Sequence, residues 1–380
     1  MIDLDALPEK LKAIRREIRA QYLEDDGARP WIIGFSGGKD STLLTHLVVE
    51  TLLTIAPDQR TRPVHLVCND TLVESPVFHG FVGKMLTGIE ENIGALNVPV
   101  AVVRTHPLPE ESFWVNLLGR GYPAPNRTFR WCTDRMKIRP TSRFIREQVS
   151  RGGGAVLLLG VRRDESAQRS GSITRNSANA LGRLTPHSDH KGVWIFSPIQ
   201  ELTTQEVWLT LISARPPWGG RYDDVITLYK NALGGECPFV VSNDDAPSCG
   251  SNSARFGCWT CTVVEKDNSL ESLITMGHEE LIPLADFRKR LKTVSDTPDY
   301  RSKTRRNGQP GLGPLTYEAR RILLEELLAI REETGMPLIS DLEVRLIREQ
   351  WAVDKGEDAY RELEKMATTQ EKLHGATVEQ

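Results

Sequence analysis

The first 56 residues alternate between helical and strand-like hydrophobic patterns. Leu11, Ile14 and Ile18 recur on one face of residues 8–23, and this spacing predicts an amphipathic helix. A short apolar run at 31–33 then ends in small residues, and a second helical pattern follows over 39–56. Strand, glycine-rich turn and helix in this order predict the first unit of an α/β fold.

Four further apolar runs predict additional strands. Several are almost continuously hydrophobic, as expected for parallel strands that are covered on both faces. Helical patterns separate them, so the sequence predicts the α/β class with a doubly wound, mostly parallel sheet. The four runs are VHLVCND at 64–70, VAVVRT at 100–105, AVLLLGV at 155–161 and VWIFSPI at 193–199.

The composition of the chain changes near Gly234, where Gly, Ser, Asn and Cys become frequent and periodicity is lost. Helical patterns return further on, and residues 316–333 predict an amphipathic helix with Thr316 as its N-cap. The predicted organisation has four parts. They are an N-terminal helix at 1–30, the α/β domain at 31–235, a cysteine-rich segment at 236–268 and a mainly helical region at 269–380.

Charge and hydropathy describe an ordinary globular chain of 380 residues with a formal net charge of −3. Contacts with nucleic acid would therefore have to come from local basic patches. The N-terminus lacks the apolar centre of a signal peptide, and no apolar run is long enough to span a membrane. The sequence predicts a cytoplasmic protein without a membrane partner.

The turn after the first strand reads GFSGGKDST at 34–42. It departs from the Walker A pattern in two ways. Three residues instead of four separate Gly34 from Gly38-Lys39, and Asp40 replaces the magnesium-binding hydroxyl. A glycine-rich turn at a helix N-terminus still directs backbone N–H groups at an anion. The alternative is a tight strand–helix turn with incidental polar groups. The predicted phosphate-binding residues are Ser36, Gly37, Gly38, Lys39, Asp40, Ser41 and Thr42.

Four of the six cysteines fall within 25 positions, and Cys258 and Cys261 form a CxxC pair. With Cys249 and one further cysteine, the pair could hold zinc or an iron–sulfur cluster. A redox-active CxxC pair and inert buried cysteines are the alternatives. The fourth ligand could be Cys132 or Cys237, whereas Cys68 lies in a predicted strand and is expected in the core.

Two runs of the chain are strongly basic. Residues 120–151 hold nine cationic and two acidic side chains (+7), and residues 286–306 hold eight and three (+5). Such runs can bind a nucleic-acid backbone without reading its bases, with an affinity that falls steeply with salt. A solvated helix face is the alternative. The cations are Arg120, Arg127, Arg130, Arg135, Lys137, Arg139, Arg143, Arg146 and Arg151, then Arg288, Lys289, Arg290, Lys292, Arg301, Lys303, Arg305 and Arg306, and the aromatic residues Tyr122, Phe129 and Trp131 are interleaved with the first run.

The string SGGKDS resembles the pyrophosphate loop of the N-type ATP pyrophosphatases, in their PAPS reductase-like branch. Strings that support the resemblance are DTLVESP at 70–76, RWCTDRMKIRP at 130–140, GVRRDESAQR at 160–169 and SPIQELTTQEVW at 197–208. The resemblance implies cleavage of ATP, with Mg²⁺, into AMP and pyrophosphate. It implies catalytic roles for Ser36, Lys39, Asp40, Arg162 and Glu165, and nucleotide contacts for Gly160, Arg162 and Arg169 as well as the loop. At the end of the second predicted strand, Asp70 or Glu74 could contact ribose, magnesium or adenine.

Two features distinguish this chain within that superfamily. PAPS reductases use a cysteine near the C-terminus, but no cysteine follows Cys261, so sulfonucleotide reduction is disfavoured. CGSNSARFGCWTCTVVEKDNS at 249–269 resembles the cysteine segment of the DNA-phosphorothioation sulfurtransferases of the Dnd and Ssp systems. That resemblance implies ATP-dependent replacement of a non-bridging oxygen of DNA by sulfur.

The same resemblance implies a 4Fe-4S cluster, with zinc as the alternative, on Cys132, Cys249, Cys258 and Cys261. It also implies DNA, a cysteine desulfurase as sulfur donor and other phosphorothioation proteins as partners. A tRNA thiolase or another sulfur transferase of the superfamily is one alternative. A non-catalytic redox regulator that binds nucleotide and DNA is another.

Overall fold

A six-stranded sheet forms the centre of the α/β domain in the computed structural model, which describes residues 6–24, 29–165, 183–232 and 257–356. Its order is β3-β2-β1-β4-β6-β5. All neighbouring strands are parallel except β5, which is antiparallel to β6. The predicted fold class is confirmed. The strands are β1 Trp31–Phe35, β2 Val64–Asn69, β3 Val100–Thr105, β4 Ala155–Leu158, β5 Thr185–Pro186 and β6 Val193–Phe196.

Helices connect and follow these strands. The three predicted helices are present, and Thr316 caps its helix by accepting a hydrogen bond from the Ala319 N–H (3.3 Å). Val115–Gly119 and Thr133–Ile138 are π-helical turns. The described helices are α1 Leu7–Leu23, α2 Lys39–Leu53, α3 Pro76–Ile93, α4 Arg139–Gly152, α5 Thr204–Ser213, α6 Asp223–Ala232, α7 Asn268–Thr275, α8 Ile282–Asp296, α9 Tyr317–Thr334 and α10, described over 341–356.

Burial on both faces explains the apolar strands. Along β1, Ile33 packs into the larger core cluster with side chains of α1 and α2, while Ile32 packs into a smaller cluster with Ile145 of α4. Successive side chains of a strand point to opposite faces, so both faces require hydrophobic residues. A sheet covered in this way offers its strand ends to ligands.

The chain divides into two compact units. The first unit comprises the chain up to Pro107, Met136–Trp259 and Glu265–Ala285, and it contains the sheet. The second unit comprises Leu108–Arg135, Thr260–Val264 and the chain from Asp286 onward. Among the residues that the structure describes, no helix has the length and apolar character needed to cross a membrane.

Candidate nucleotide site

The strand order places a crevice at the carboxyl ends of β1 and β4. From β1 the chain runs to β2 and β3 on one side of the sheet, and it later returns to β4 on the other side. Ligands of open α/β sheets bind at such a switch point. The segment after β1 is the glycine-rich loop, and the segment after β4 contains Gly160 and Arg162. The fold therefore brings together two segments that lie about 120 residues apart in the sequence.

The glycine-rich loop closes on itself before α2 begins. Gly37 has a φ of +72°, and a Cβ there would lie 2.5 Å from Cγ2 of Val82. The Ser36 N–H donates to Oγ of Ser41 (3.2 Å), and this hydroxyl donates to the Gly38 carbonyl (3.0 Å). Thr42 is fully buried. Gly38 is the N-cap residue, so the loop leads directly into the N-terminus of α2.

An ion network of three side chains lies at this helix N-terminus. The Asp40 carboxylate accepts hydrogen bonds from Nζ of Lys39 (2.9 Å) and from Nε of Arg162 (2.6 Å). The Arg162 side chain is 1% exposed and the Asp40 side chain 13% exposed. A buried guanidinium requires a charged partner and further acceptors. The structure thus brings together Lys39, Asp40 and Arg162, which the sequence analysis named separately.

Arg162 is held by further acceptors. It donates to the Leu202 carbonyl (3.0 Å) and to the Thr204 hydroxyl (3.1 Å), and it forms an ion pair with Asp164 at 3.4 Å. Burial raises the pKa of Asp164, but hydrogen bonds from Thr204 and the Arg162 charge outweigh it and leave this pKa below its usual value. The Arg162 guanidinium is therefore fixed in orientation before any ligand binds.

Gly160 allows the end of β4 to approach α2. A Cβ at Gly160 would lie 3.0 Å from the carbonyl carbon and oxygen of Asp40 and 3.1 Å from the Ser41 nitrogen. These are backbone atoms that cannot move aside as a flexible side chain could. The absence of a side chain at Gly160 thus brings Arg162 within reach of Asp40.

Tyr229 of α6 is a site residue that the sequence analysis missed. Its hydroxyl accepts a hydrogen bond from the Lys39 N–H (3.2 Å), and its ring centroid lies 5.7 Å from Nζ of Lys39. Burial raises the pKa of Tyr229 above its ordinary value, so the hydroxyl remains neutral. The hydroxyl occupies one of the N–H groups with which a helix N-terminus binds anions. No motif surrounds Tyr229, and no sequence signal indicated this contact.

Asp70, Glu74 and His79 form a second cluster, after β2. One potential ligand atom from each of the three lies within 4.8 Å of the others. The Thr71 N–H donates to both Glu74 carboxylate oxygens (3.1 and 3.0 Å). Burial raises the pKa of Glu74 to about 7. The Thr71 hydrogen bonds lower this pKa, whereas the Asp70 charge raises it further. Carboxylate oxygens suit Mg²⁺, and the imidazole would also suit a transition metal.

Cys258 is anchored beside this cluster. It forms an antiparallel bridge with Glu74, and its Sγ lies 3.3 Å from the Thr71 hydroxyl. The Trp259 N–H donates to the Val73 carbonyl (3.0 Å), which extends the pairing by one residue. The first cysteine of the CxxC pair is thus tied to the chain that follows β2.

The other predicted metal ligands are distributed along the chain. Cys132 and Cys261 belong to the second unit, where the Cys261 carbonyl accepts a hydrogen bond from Arg288 (2.7 Å). Cys132, Cys258 and Cys261 are half-buried thiols, which is donor chemistry that fits a cluster or zinc. Cys68 is buried in β2, as expected, and burial raises its pKa to about 12. Cys237, Cys249, Arg169 and the side chain of Glu165 lie outside the described residues.

The two units divide the first basic run. Arg120 to Arg135 belong to the second unit, whereas the cations from Lys137 to Arg151 belong to the first unit, mainly on α4. Arg151 pairs there with Glu147 (2.6 Å). The run of nine cations is therefore divided between two compact bodies.

Comparison with known proteins places the chain in a family. The model of the phosphoadenosine phosphosulfate reductase domain matches residues 30–264. An uncharacterized protein of Methanocaldococcus jannaschii is 25% identical over 200 residues, which are 51% of this chain and 34% of the relative. The match thus spans about a third of that relative's length.

Two solved structures are similar to this chain at low identity and low TM-score. Phosphoadenylyl-sulfate reductase from Candida auris, in a phosphate complex, is 14% identical with a TM-score of 0.33, and the match covers 55% of this chain and 85% of that one. The U34-tRNA thiolase NcsA from Methanococcus maripaludis, with its [4Fe-4S] cluster, is 15% identical with a TM-score of 0.34, covering 84% and 88%. Because the family model covers more than half of the chain, this protein belongs to the phosphoadenosine phosphosulfate reductase domain family.

Proposed function

We propose that this protein is an ATP-dependent sulfurtransferase that activates a DNA backbone phosphate for replacement of a non-bridging oxygen by sulfur. The observation that carries the nucleotide half is the Lys39–Asp40–Arg162 network beside the glycine-rich loop. The choice of DNA as acceptor rests on the likeness of residues 249–269 to phosphorothioation sulfurtransferases and on the basic runs.

In this proposal, the loop binds the β- and γ-phosphates of ATP. The N–H groups at the start of α2 and the Lys39 ammonium offset the phosphate charge. Arg162 holds Asp40, and Asp40 in turn orients Lys39, so the charges are arranged before ATP arrives. Asp70 and Glu74 are the residues that would hold Mg²⁺, which would supply positive charge to the phosphates. Catalysis by such a site consists of positioning and charge stabilisation.

The proposed reaction has two displacement steps. A DNA phosphate oxygen attacks the α-phosphorus of ATP, and the bond to the β-phosphate oxygen breaks as pyrophosphate leaves. The terminal sulfur of a persulfide, supplied by a cysteine desulfurase, then attacks the activated DNA phosphorus, and AMP leaves with the former DNA oxygen. A second thiol finally reduces the sulfur–sulfur bond, which leaves sulfur on phosphorus and forms a disulfide.

The cysteines would hold a metal centre. Cys132, Cys249, Cys258 and Cys261 are the residues that would hold a 4Fe-4S cluster, and zinc is the alternative. A cluster would supply a redox-active site, whereas zinc would make the segment structural. Iron and acid-labile sulfide analysis after anaerobic purification distinguishes the two.

Pyrophosphate release tests the proposal that the protein cleaves ATP into AMP and pyrophosphate. We expect ATP labelled in the γ-phosphate to yield labelled pyrophosphate, with AMP as the other product, when DNA and a persulfide donor are present. Lys39→Ala should abolish this release, whereas Lys84→Ala, on the exposed side of α3, should not. Formation of ADP and phosphate would refute the proposal. Stimulation by tRNA but not by DNA would favour a tRNA thiolase, and nucleotide binding without turnover would favour the redox regulator.

An isotope experiment tests the order of bond breaking. If the DNA oxygen attacks ATP, ¹⁸O placed in the non-bridging phosphate positions of DNA appears in AMP, one atom per sulfur introduced. Mass spectrometry of the AMP measures this ratio. Phosphorothioate DNA formed together with unlabelled AMP would exclude an adenylated DNA intermediate.

A further inference from the structure

Two loops meet in the second unit, and their contacting residues are 186 and 194 positions apart in the sequence. The Leu315 N–H donates to the Gly121 carbonyl (2.7 Å), and the Arg306 guanidinium donates to the Arg120 carbonyl (2.5 Å). The same guanidinium lies over the Tyr122 ring, 4.7 Å from its centroid. Residues 120–133 and 301–315 therefore lie together, and their exposed side chains are named here the arginine–aromatic surface.

The second of these loops is a hairpin. Antiparallel bridges join Arg301 to Leu315 and Thr304 to Pro310. Nearer the tip, the Arg305 N–H donates to the Gln309 carbonyl (2.8 Å) and the Gly311 N–H donates to the Lys303 carbonyl (2.9 Å). Because its backbone is hydrogen-bonded along its length, the hairpin presents its exposed cations in a fixed arrangement.

The first loop presents an aromatic ring to solvent. Phe129 is 43% exposed. The side-chain oxygen of Asn126 accepts hydrogen bonds from the Thr128 N–H (3.0 Å), the Thr128 hydroxyl (2.9 Å) and the Phe129 N–H (2.9 Å), which fixes the turn. Behind the ring, Tyr122 contacts Phe129 with centroids 6.1 Å apart and packs edge-on against Trp131 at 5.4 Å. The exposed ring is thus held outward by a rigid support.

The charge of this surface has one sign. Residues 120–133 and 301–315 contain seven arginines and lysines and no aspartate or glutamate, and the carboxylates nearest in sequence are Asp134 and Asp299 at the ends of the two segments. Of these cations, Arg301 is used internally, since it donates to the Gly313 and Ser295 carbonyls (2.6 and 2.8 Å). Arg127, Arg130, Lys303, Arg305 and Arg306 are exposed.

An exposed aromatic ring on segments that carry seven cations and no carboxylate suits a polyanion that carries planar rings. Proteins that bind single-stranded nucleic acid use this combination, because cations follow the phosphates and bases stack on aromatic side chains. An acidic peptide would satisfy the cations but would leave the ring without a matching flat surface. In duplex DNA the bases are stacked on one another, so their faces are not available to Phe129.

We propose that the arginine–aromatic surface binds single-stranded DNA, with phosphates on the arginines and one base stacked on Phe129. The choice of DNA over RNA rests on the function proposed above. It follows that the acceptor is held in unpaired form, as a single strand or a locally opened duplex. This surface would then select the structural state of the DNA, and the nucleotide site would supply the activation.

Fluorescence anisotropy with the 380-residue chain tests this proposal. The probes are a labelled 12-nucleotide single strand of mixed sequence, the duplex of the same sequence and the matching RNA. Phe129→Ala should weaken binding of the single strand by about fivefold to 150-fold and leave duplex binding unchanged. Phe129→Trp should retain the affinity and thereby exclude a folding defect. Equal affinity of Phe129→Ala and the unaltered protein for the single strand would overturn the proposal, as would equal weakening for single strand and duplex.

A charge variant and its control test the phosphate contacts. The Lys303→Gln and Arg305→Gln double variant should reduce the slope of log affinity against log salt by about 1.4 for the single strand. Arg345→Gln with Arg348→Gln removes two exposed cations of the second unit outside this surface and should leave the slope unchanged. An unchanged slope in the first variant would overturn the proposal.

The outcomes separate this inference from the proposed function. If the protein binds the RNA more tightly than the single-stranded DNA, and Phe129→Ala weakens both, the surface binds single strands but DNA is not the acceptor. DNA-stimulated pyrophosphate release that is insensitive to Phe129→Ala would overturn the surface and leave the proposed function standing.

Discussion

Replacement of Arg162 by methionine tests whether the ion network holds the glycine-rich loop together. The substitution keeps an unbranched but shorter side chain and removes the donors to Asp40, the Leu202 carbonyl and the Thr204 hydroxyl. Loss of one partner from a buried ion pair costs about 3–5 kcal/mol, because the remaining charge stays desolvated. Asp40 is slightly exposed and keeps Lys39 at 2.9 Å, so we expect about 3 kcal/mol.

The melting temperature and the urea midpoint both report this loss. For a domain of this size, a loss of about 3 kcal/mol corresponds to a fall of roughly 6–12 °C. Arg163→Met is the matched control, since the neighbouring Arg163 pairs with Glu201 (2.7 Å) through side chains that are 33% and 59% exposed. An exposed pair of this kind contributes about 0–1 kcal/mol. A similar loss in both variants would refute the assignment of a buried network.

A double-mutant cycle separates the Asp40–Arg162 interaction from the other bonds of Arg162. Asp40→Asn keeps the shape of the side chain and removes its charge, so Arg162→Met should cost less in that background. We expect a coupling free energy of about 1.5–3 kcal/mol, as for hydrogen bonds to charged groups. Additivity within about 0.5 kcal/mol would show that the two side chains do not interact and would contradict the proposed geometry.

Three further predictions concern single side chains of the first unit. Tyr229→Phe removes the acceptor at the first N–H of α2, so the stability without ligand should fall by about 1 kcal/mol. The freed N–H can then bind a phosphate oxygen, so ATP should raise the melting temperature by more than in the unaltered protein. An unchanged shift would contradict this. Gly160→Ala should lower the free energy of unfolding by about 1–3 kcal/mol, because the new Cβ meets backbone atoms of Asp40. Gly80→Ala is the control: its Cβ faces open space on α3 and should raise the free energy of unfolding by up to about 1 kcal/mol in the same urea titration. Glu50 accepts a hydrogen bond from His46, and this is the main cause that lowers the pKa of Glu50 to about 2. The stabilisation that ionised Glu50 contributes is therefore present above pH 4.5 and is lost as pH falls towards 2. In urea titrations, the stability difference between the protein and Glu50→Gln should shrink over that range.

The parallel core of the sheet could be predicted because both of its faces are buried. Ile32 and Ile33 point to opposite core clusters, so β1 reads as a continuous apolar run with a glycine-rich turn at its end. The sequence analysis did not predict β5, because its two residues, Thr185–Pro186, are too few to show a hydrophobic pattern. A strand this short is defined by its pairing with Ile195 and Trp194 of β6 rather than by its own composition.

The candidate site could be predicted only in separate parts. Motif strings pointed to Asp40 and Arg162, but their contact depends on β4 lying next to β1, which is a property of strand order. Tyr229 is 190 residues from Lys39 and lies on an ordinary amphipathic helix. Long-range contacts of this kind arise from tertiary packing and leave no periodic signal in a single sequence.

The position of Cys258 connects the CxxC pair to the edge of the sheet at which the glycine-rich loop lies. In the parallel register, Phe35 at the end of β1 lies opposite Cys68, two residues before Asp70. The chain after β2 therefore leaves the sheet at the same edge as the glycine-rich loop. Thr71 continues this chain: its N–H binds Glu74 and its hydroxyl lies 3.3 Å from Sγ of Cys258. Cys258, proposed above as a cluster ligand, thus lies at the edge at which ATP is proposed to bind, and the Thr71 hydroxyl contacts its sulfur there.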